Sequence, residues 1–115
     1  RLRQGEAEAK AGAFPAQGGA LAVFEEMEPV QLRKYCTMLY EGGKGEIVLA
    51  CARKGDGYLY VLGSASHDMR ALSKKLNACL NGKGGGSSLM AQGTFLADEG
   101  EIKRAFAQCA GEELE

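Results

Sequence analysis

The residues best suited to chemistry lie together in Asn81-Gly82-Lys83-Gly84-Gly85-Gly86-Ser87-Ser88-Leu89-Met90-Ala91-Gln92-Gly93, where four of the first six are glycine. Glycine lets another molecule approach the backbone closely, so such a run can aim several N–H groups at one anion while Lys83 adds a mobile positive charge. A phosphate is the ligand this composition fits. Two well-known phosphate loops are excluded. A P-loop needs lysine after the last glycine and directly before Ser or Thr, whereas Lys83 precedes the glycine run. The dinucleotide-binding fingerprint runs from strand to helix, whereas this run follows a helical pattern and opens toward an apolar, strand-like one. From chemistry alone, an anion-binding nest and a plain flexible linker both remain open.

At 115 residues and 45% hydrophobic content the chain suits one domain with one core. A net charge of −1 gives no global field for nucleic acid, so any such binding rests on a local patch. One is present: between Ser66 and Ser88, Arg70, Lys74, Lys75 and Lys83 stand against Asp68 alone. Cys36, Cys51, Cys79 and Cys109 are widely spaced, form no C-x-x-C pair and have only His67 to share a metal with. Each falls on an apolar face, so they read as reduced core thiols of a cytoplasmic protein. No catalytic residue, metal ligand or cofactor is assigned. No apolar run approaches the length of a membrane span, so no membrane partner is expected.

The positioning elements follow from periodicity. Arg1 to Ala13 has helix propensity but little to bury, and Pro15 with Gly18-Gly19 breaks it, so residues 1–19 read as a linker or the end of an interdomain helix. The packed domain spans 20–115. Ala20 to Phe24 suits a buried strand, and Leu32, Tyr35, Cys36 and Leu39 repeat on one face of a helix that starts at Pro29 and stops at Gly42-Gly43. Arg33 and Lys34 lie off that face and read as solvated. Ile47 to Ala52 is apolar throughout, the pattern of a central strand covered on both faces. Across the turn from Arg53 to Gly57, Tyr58 to Leu62 completes an antiparallel hairpin. Tyr58 and Tyr60 share a face, and packing against a helix is favoured there over stacking on bases.

Met69, Leu72, Leu76, Cys79 and Leu80 form the stripe of a second helix, capped by Ser66 or Asp68, with Arg70 and Lys74 one turn apart on its polar side. Asn81 to Ser88 is expected to lack regular structure. Leu89 to Leu96 reads as an edge or closing strand kinked at Gly93. Asp98 and Glu101 then form a capping box for a last helix that buries Ile102, Ala105, Phe106 and Cys109. The expected fold is α/β: one mixed sheet of four to five strands with about three helices, in the order β-α-β-β-α-(Gly loop)-β-α.

Gly82-Lys83-Gly84-Gly85-Gly86, then Ser87-Ser88-Leu89-Met90, then Ala91-Gln92-Gly93 resembles the signature of the C-terminal, DHH-associated domain of alanyl-tRNA synthetases and of long-form alanyl-tRNA editing proteins. Its pattern runs G-G-x-G-G-G, four residues, A-Q. The resemblance spans Ala20 to Ala110. Ser87-Ser88-Leu89 departs from the Arg-Pro-Asp common in synthetases, and serine at the first of these positions is closer to the editing proteins. The related phosphoesterases carry a histidine near Ser87 or Ser88 that is absent here.

The resemblance implies an accessory domain that binds RNA, alanine-specific tRNA above all, beside an upstream catalytic or editing domain of the parent chain. It also implies a possible homodimer. It assigns nucleic-acid contact or loop shaping to Gly82, Lys83, Gly84, Gly85, Gly86 and Gln92, and the adjoining Ser87 and Ser88 and the neighbouring charges of Arg70 and Lys74 join them as candidates. The alternatives are the substrate-binding half of a DHH-type phosphoesterase and a dimerisation domain that binds no RNA. Catalysis within this chain is not expected, because one histidine and scattered cysteines cannot build the zinc site of the editing reaction.

Overall fold

Six consecutive apolar residues with no polar face can be satisfied only between two layers, and in the computed structural model that is where they lie. The structure describes residues 19–65, 67–86 and 90–114. Strand β2 (Ile47–Lys54) is buried from Ile47 to Ala52, between a parallel neighbour β1 (Ala20–Phe24) and an antiparallel neighbour β3 (Gly57–Gly63). The β2–β3 connection is tight, with Gly55 at φ +58, the left-handed conformation such a turn requires. The sheet continues through β5 (Met90–Phe95), antiparallel to β3, and ends at β4 (Lys83–Gly86), antiparallel to β5. Strand order is β1-β2-β3-β5-β4.

Helix α1 (Pro29–Glu41) covers one face. Its Leu32, Tyr35, Cys36 and Leu39 pack on Leu21, Val23, Val48, Ala50, Ala52 and Val61. Helices α2 (Met69–Cys79) and α3 (Glu99–Leu114) cover the other face, where Met69, Leu72, Leu76, Ile102 and Phe106 enclose Ile47, Leu49, Cys51, Tyr60, Leu62 and Phe95. Each fully buried Leu, Ile or Phe contributes on the order of 2 kcal/mol, so the two half-cores dominate the stability. The helix starts follow local chemistry. Pro29 occupies the first turn of α1, and the Asp68 carboxylate caps α2 by accepting from the Arg70 N–H at 2.9 Å. Asp98 and Glu101 exchange hydrogen bonds of 2.8 and 3.2 Å, the reciprocal capping box read from the sequence.

The expected fold class, strand number and element order hold, with local corrections. Lys83 to Gly86, expected to be irregular, forms strand β4, because sheet pairing uses backbone N–H and C=O groups that glycine presents as well as any residue. The edge position expected for the strand within Leu89 to Leu96 is therefore taken by β4, which lies outside β5. Cys79 is exposed rather than part of the apolar stripe, and Ser73 takes a buried position in α2 instead. Cys36, Cys51 and Cys109 are buried thiols as expected. Residues 1–18 of the segment 1–19 expected as a linker or the end of an interdomain helix, the cap alternative Ser66, and Ser87, Ser88 and Leu89 lie outside the described residues.

Candidate nucleic-acid interface

Residues directly opposite in an antiparallel ladder present their side chains to the same face. Thr94 pairs with Leu59 and Lys83, and Gln92 pairs with Val61 and Gly85. Val61 packs under α1, so Lys83, Gly85, Gln92 and Thr94 all belong to the α1 side of the sheet. Helix α1 packs over β1, β2 and β3, and the β5–β4 half of this face stays open: Lys83, Gly85, Gln92 and Thr94 are exposed. The result is a groove of about 240 Å³ lined by Pro29 and Arg33 of α1, Leu59 and Val61 of β3, Lys83 of β4, and Gln92, Gly93 and Thr94 of β5. The Arg33 guanidinium donates to Gln92 Oε1 at 3.3 Å across it.

Arg33 is the residue that sequence reasoning missed. It lies 59 positions from Gln92, and only the sheet order brings the two together. No local pattern marks it, since its apolar neighbours describe α1 alone.

Close backbone approach fixes β4 in place. A Cβ at Gly93 would lie 2.0 Å from the Lys83 carbonyl oxygen, and one at Gly84, whose φ is +152, would lie 2.3 Å from the Gln92 oxygen. Gly85 differs: a Cβ there meets nothing within 4 Å, so its bare backbone faces open space beside Gln92. From the opposite face, α2 supports the strand. The Tyr60 hydroxyl shares a 2.9 Å hydrogen bond with Ser73 Oγ and donates to Asn77 Oδ1 at 3.0 Å, and Asn77 Nδ2 donates to the Gly84 carbonyl at 3.4 Å. Tyr60 is itself fixed by stacking on Phe95 with ring centroids 4.0 Å apart. Tyr58 sits edge-on to Phe24 at 5.6 Å, so both tyrosines pack within the fold as expected.

Arg70 and Lys74, also candidates from the sequence, are not brought to this groove. Arg70 and Lys74 are exposed on α2, on the far side of the sheet. Arg70 is held by Asp68 through contacts of 2.7 and 3.1 Å, and these hydrogen bonds pull the Asp68 carboxyl down to about 2. His67 pairs with Glu46 at 3.3 Å. A second groove of about 270 Å³ holds Arg53 and Tyr58 beside Asp56 and Asp98, whose negative charges disfavour a phosphate. Among the described residues no group of three or more His, Cys, Asp or Glu is placed to hold a metal ion, and no helix is long and apolar enough to cross a membrane.

An α/β module with one helix on one face, two on the other and a glycine-built edge strand is the class of domain that these features define. No protein-family model matches the chain. Among solved structures, it is similar to the C-Ala domain from Aquifex aeolicus alanyl-tRNA synthetase, with a TM-score of 0.70 and 27% identity over 85% of this chain and 91% of that domain. It is also similar to RecJ from Thermus thermophilus, solved in complex with Mg2+, with a TM-score of 0.72 and 15% identity. That match covers 94% of this chain but 17% of RecJ, and at such identity the likeness is one of fold. The first neighbour agrees with the family resemblance carried by Gly82 to Gly86 and Ala91-Gln92-Gly93. Sequence and structure thus point to the same kind of nucleic-acid-related accessory domain.

Proposed function

We propose that the chain, from residue 20 to 115, is the accessory tRNA-binding domain of an alanyl-tRNA synthetase-like or alanyl-tRNA editing protein, acting in the cytoplasm beside an upstream catalytic or editing domain. The observation that carries this reading is the convergence of Lys83, Arg33 and Gln92 on one open groove, beside the exposed backbone of Gly85. The C-Ala likeness supports tRNA as the ligand class.

In this reading Lys83 and Arg33 neutralise neighbouring phosphates, Arg33 as a planar fork and Lys83 as a mobile point charge. The bare Gly85 backbone, open where a Cβ would stand, admits a phosphate or ribose close to the strand, and Gln92 donates through its amide while Arg33 orients it. Gly82, Gly84 and Gly86 shape the strand, and Ser87 and Ser88 extend the contact beyond it. A sheet is thin, so a folded RNA straddling the β4 edge reaches Arg70 and Lys74 from the α2 side, where they add secondary contacts.

The test is a fluorescence anisotropy titration of the protein with alanine-specific tRNA and with a short single strand, at two salt concentrations. Salt-sensitive preference for tRNA that weakens in Lys83→Ala supports the reading. Preference for the short strand points to the phosphoesterase-type alternative, and dimerisation without RNA binding to the structural one.

A further inference from the structure

Two rows of residues cross the open half of the α1 face, and both change character in the same direction. In one, Leu59 of β3 stands beside Thr94 of β5 and then Lys83 of β4. In the other, Val61 stands beside Gln92 and then Gly85. From α1 outward, each row passes from an apolar side chain to an uncharged hydrogen-bonding one. At the sheet edge one row ends in a positive charge and the other in bare backbone open to solvent. Pro29 of α1 closes the apolar end, where Leu59 and Val61 join the core that α1 covers. The bond from Arg33 occupies Gln92 Oε1, so the Nε2 amide group is what Gln92 offers a ligand as donor.

A groove for phosphate alone has no use for an apolar end. Two inter-strand spacings, about 10 Å in all, separate β3 from β4. That is the reach of one nucleotide laid across the strands, from its phosphate to the far side of its base. The groove volume of about 240 Å³ lies below the roughly 300–1,000 Å³ of pockets for drug-sized ligands, and suits a single base.

We propose that this groove takes one unpaired, unstacked nucleotide of RNA with its base inward. The base lies against Pro29, Leu59 and Val61, an acceptor on its edge meets the Gln92 amide, and the phosphate rests at Lys83 and the Gly85 backbone. The assignment rests on the nucleic-acid reading of this groove and narrows its ligand. Bases inside an A-form helix are paired and stacked and cannot enter, so the fitting form is a nucleotide splayed from a loop, bulge or end. One that is already unstacked enters most readily, because it bears no cost of leaving a stack.

The experiment titrates the protein, isotopically labelled at backbone amides and methyl groups, with adenosine 5′-monophosphate and separately with ribose 5-phosphate. The second compound keeps the phosphate and sugar and lacks the base. Both are expected to move the Lys83 and Gly85 amides in NMR spectra. Only the nucleotide moves the Leu59 and Val61 methyls, shows nuclear Overhauser contacts from its adenine protons to them, and binds several-fold more tightly. Equal affinities with silent methyls overturn the base-inward assignment, while shifts at Lys83 and Gly85 leave the phosphate-binding groove standing. Adenine contacts on any other part of the surface overturn it as well. If neither compound moves a groove residue, the assignment falls, and the tRNA titration decides the nucleic-acid reading separately.

Discussion

Asn77 on α2 donates its side-chain amide to the Gly84 carbonyl on the edge strand at 3.4 Å, while its Oδ1 accepts the Tyr60 hydroxyl at 3.0 Å. The buried core thereby positions a strand that has no apolar side chain of its own. Tyr60→Phe keeps the stack on Phe95 but leaves the buried Ser73 hydroxyl and Asn77 Oδ1 each short of a partner. A loss of about 1–3 kcal/mol in urea unfolding is expected, with a few-fold weaker RNA affinity because β4 is held less firmly.

The two kinds of glycine in the ladder give opposite outcomes on substitution. Gly93→Ala drives a methyl into the Lys83 carbonyl, which would lie 2.0 Å away, so β4 must separate from β5. The expected cost is about 1–3 kcal/mol, measured by denaturant unfolding. Gly85→Ala meets nothing within 4 Å and leaves the melting temperature unchanged or slightly higher. Its tRNA affinity falls all the same, because the methyl stands where the RNA approaches.

Charge deletion separates the two faces of the sheet. Lys83→Ala and Arg33→Ala each remove one phosphate contact and lower the slope of log K against log salt by roughly 0.7–0.9. Lys74→Ala, on the opposite face, lowers affinity less. Equal losses from all three would show that the groove has no privileged role.

Stability narrows at both ends of the pH scale, each with a definite sign. The Asp68 carboxyl, held at about 2 by its hydrogen bonds from Arg70, favours the folded state while ionised. Its contribution is full above its ordinary 3.8 and is lost as pH falls toward 2. At the alkaline end, burial pushes Tyr35 up to about 12, with Glu25 adding, and raises the Cys36 and Cys51 thiols. These groups stay neutral when folded and ionise when unfolded, so stability declines as pH rises past 9. Thermal melts from pH 2 to 11 check both limbs, and Asp68→Asn removes part of the acid limb.

How much was legible in the sequence depended on whether side chains carried the signal. Ile47 to Ala52 declared a two-sided strand, and Asp98 with Glu101 declared a helix start, because burial and capping act through residue type at short range. Lys83 to Gly86 carried no such pattern. Its strand exists through backbone pairing with β5 and through glycine at positions 84 and 93, where the chains approach too closely for a Cβ. Arg33 was unreadable for another reason. Its partnership with Gln92 depends on β5 being inserted between β3 and β4, a matter of topology that no local window contains. The placement of Cys79 shows a third limit, since a helical stripe fixes which way a residue points but not whether the facing element extends far enough to cover it.

The central claim is that RNA is held on the α1 side of β5 and β4. An amide NMR titration of the isotopically labelled protein with alanine-specific tRNA tests it most directly. The account predicts the largest shifts at Arg33, Lys83, Gly85, Gln92 and Thr94, smaller ones at Arg70 and Lys74, and none along the outer surface of α3. Shifts concentrated on α2 and α3, with the β4–β5 face silent, would contradict it.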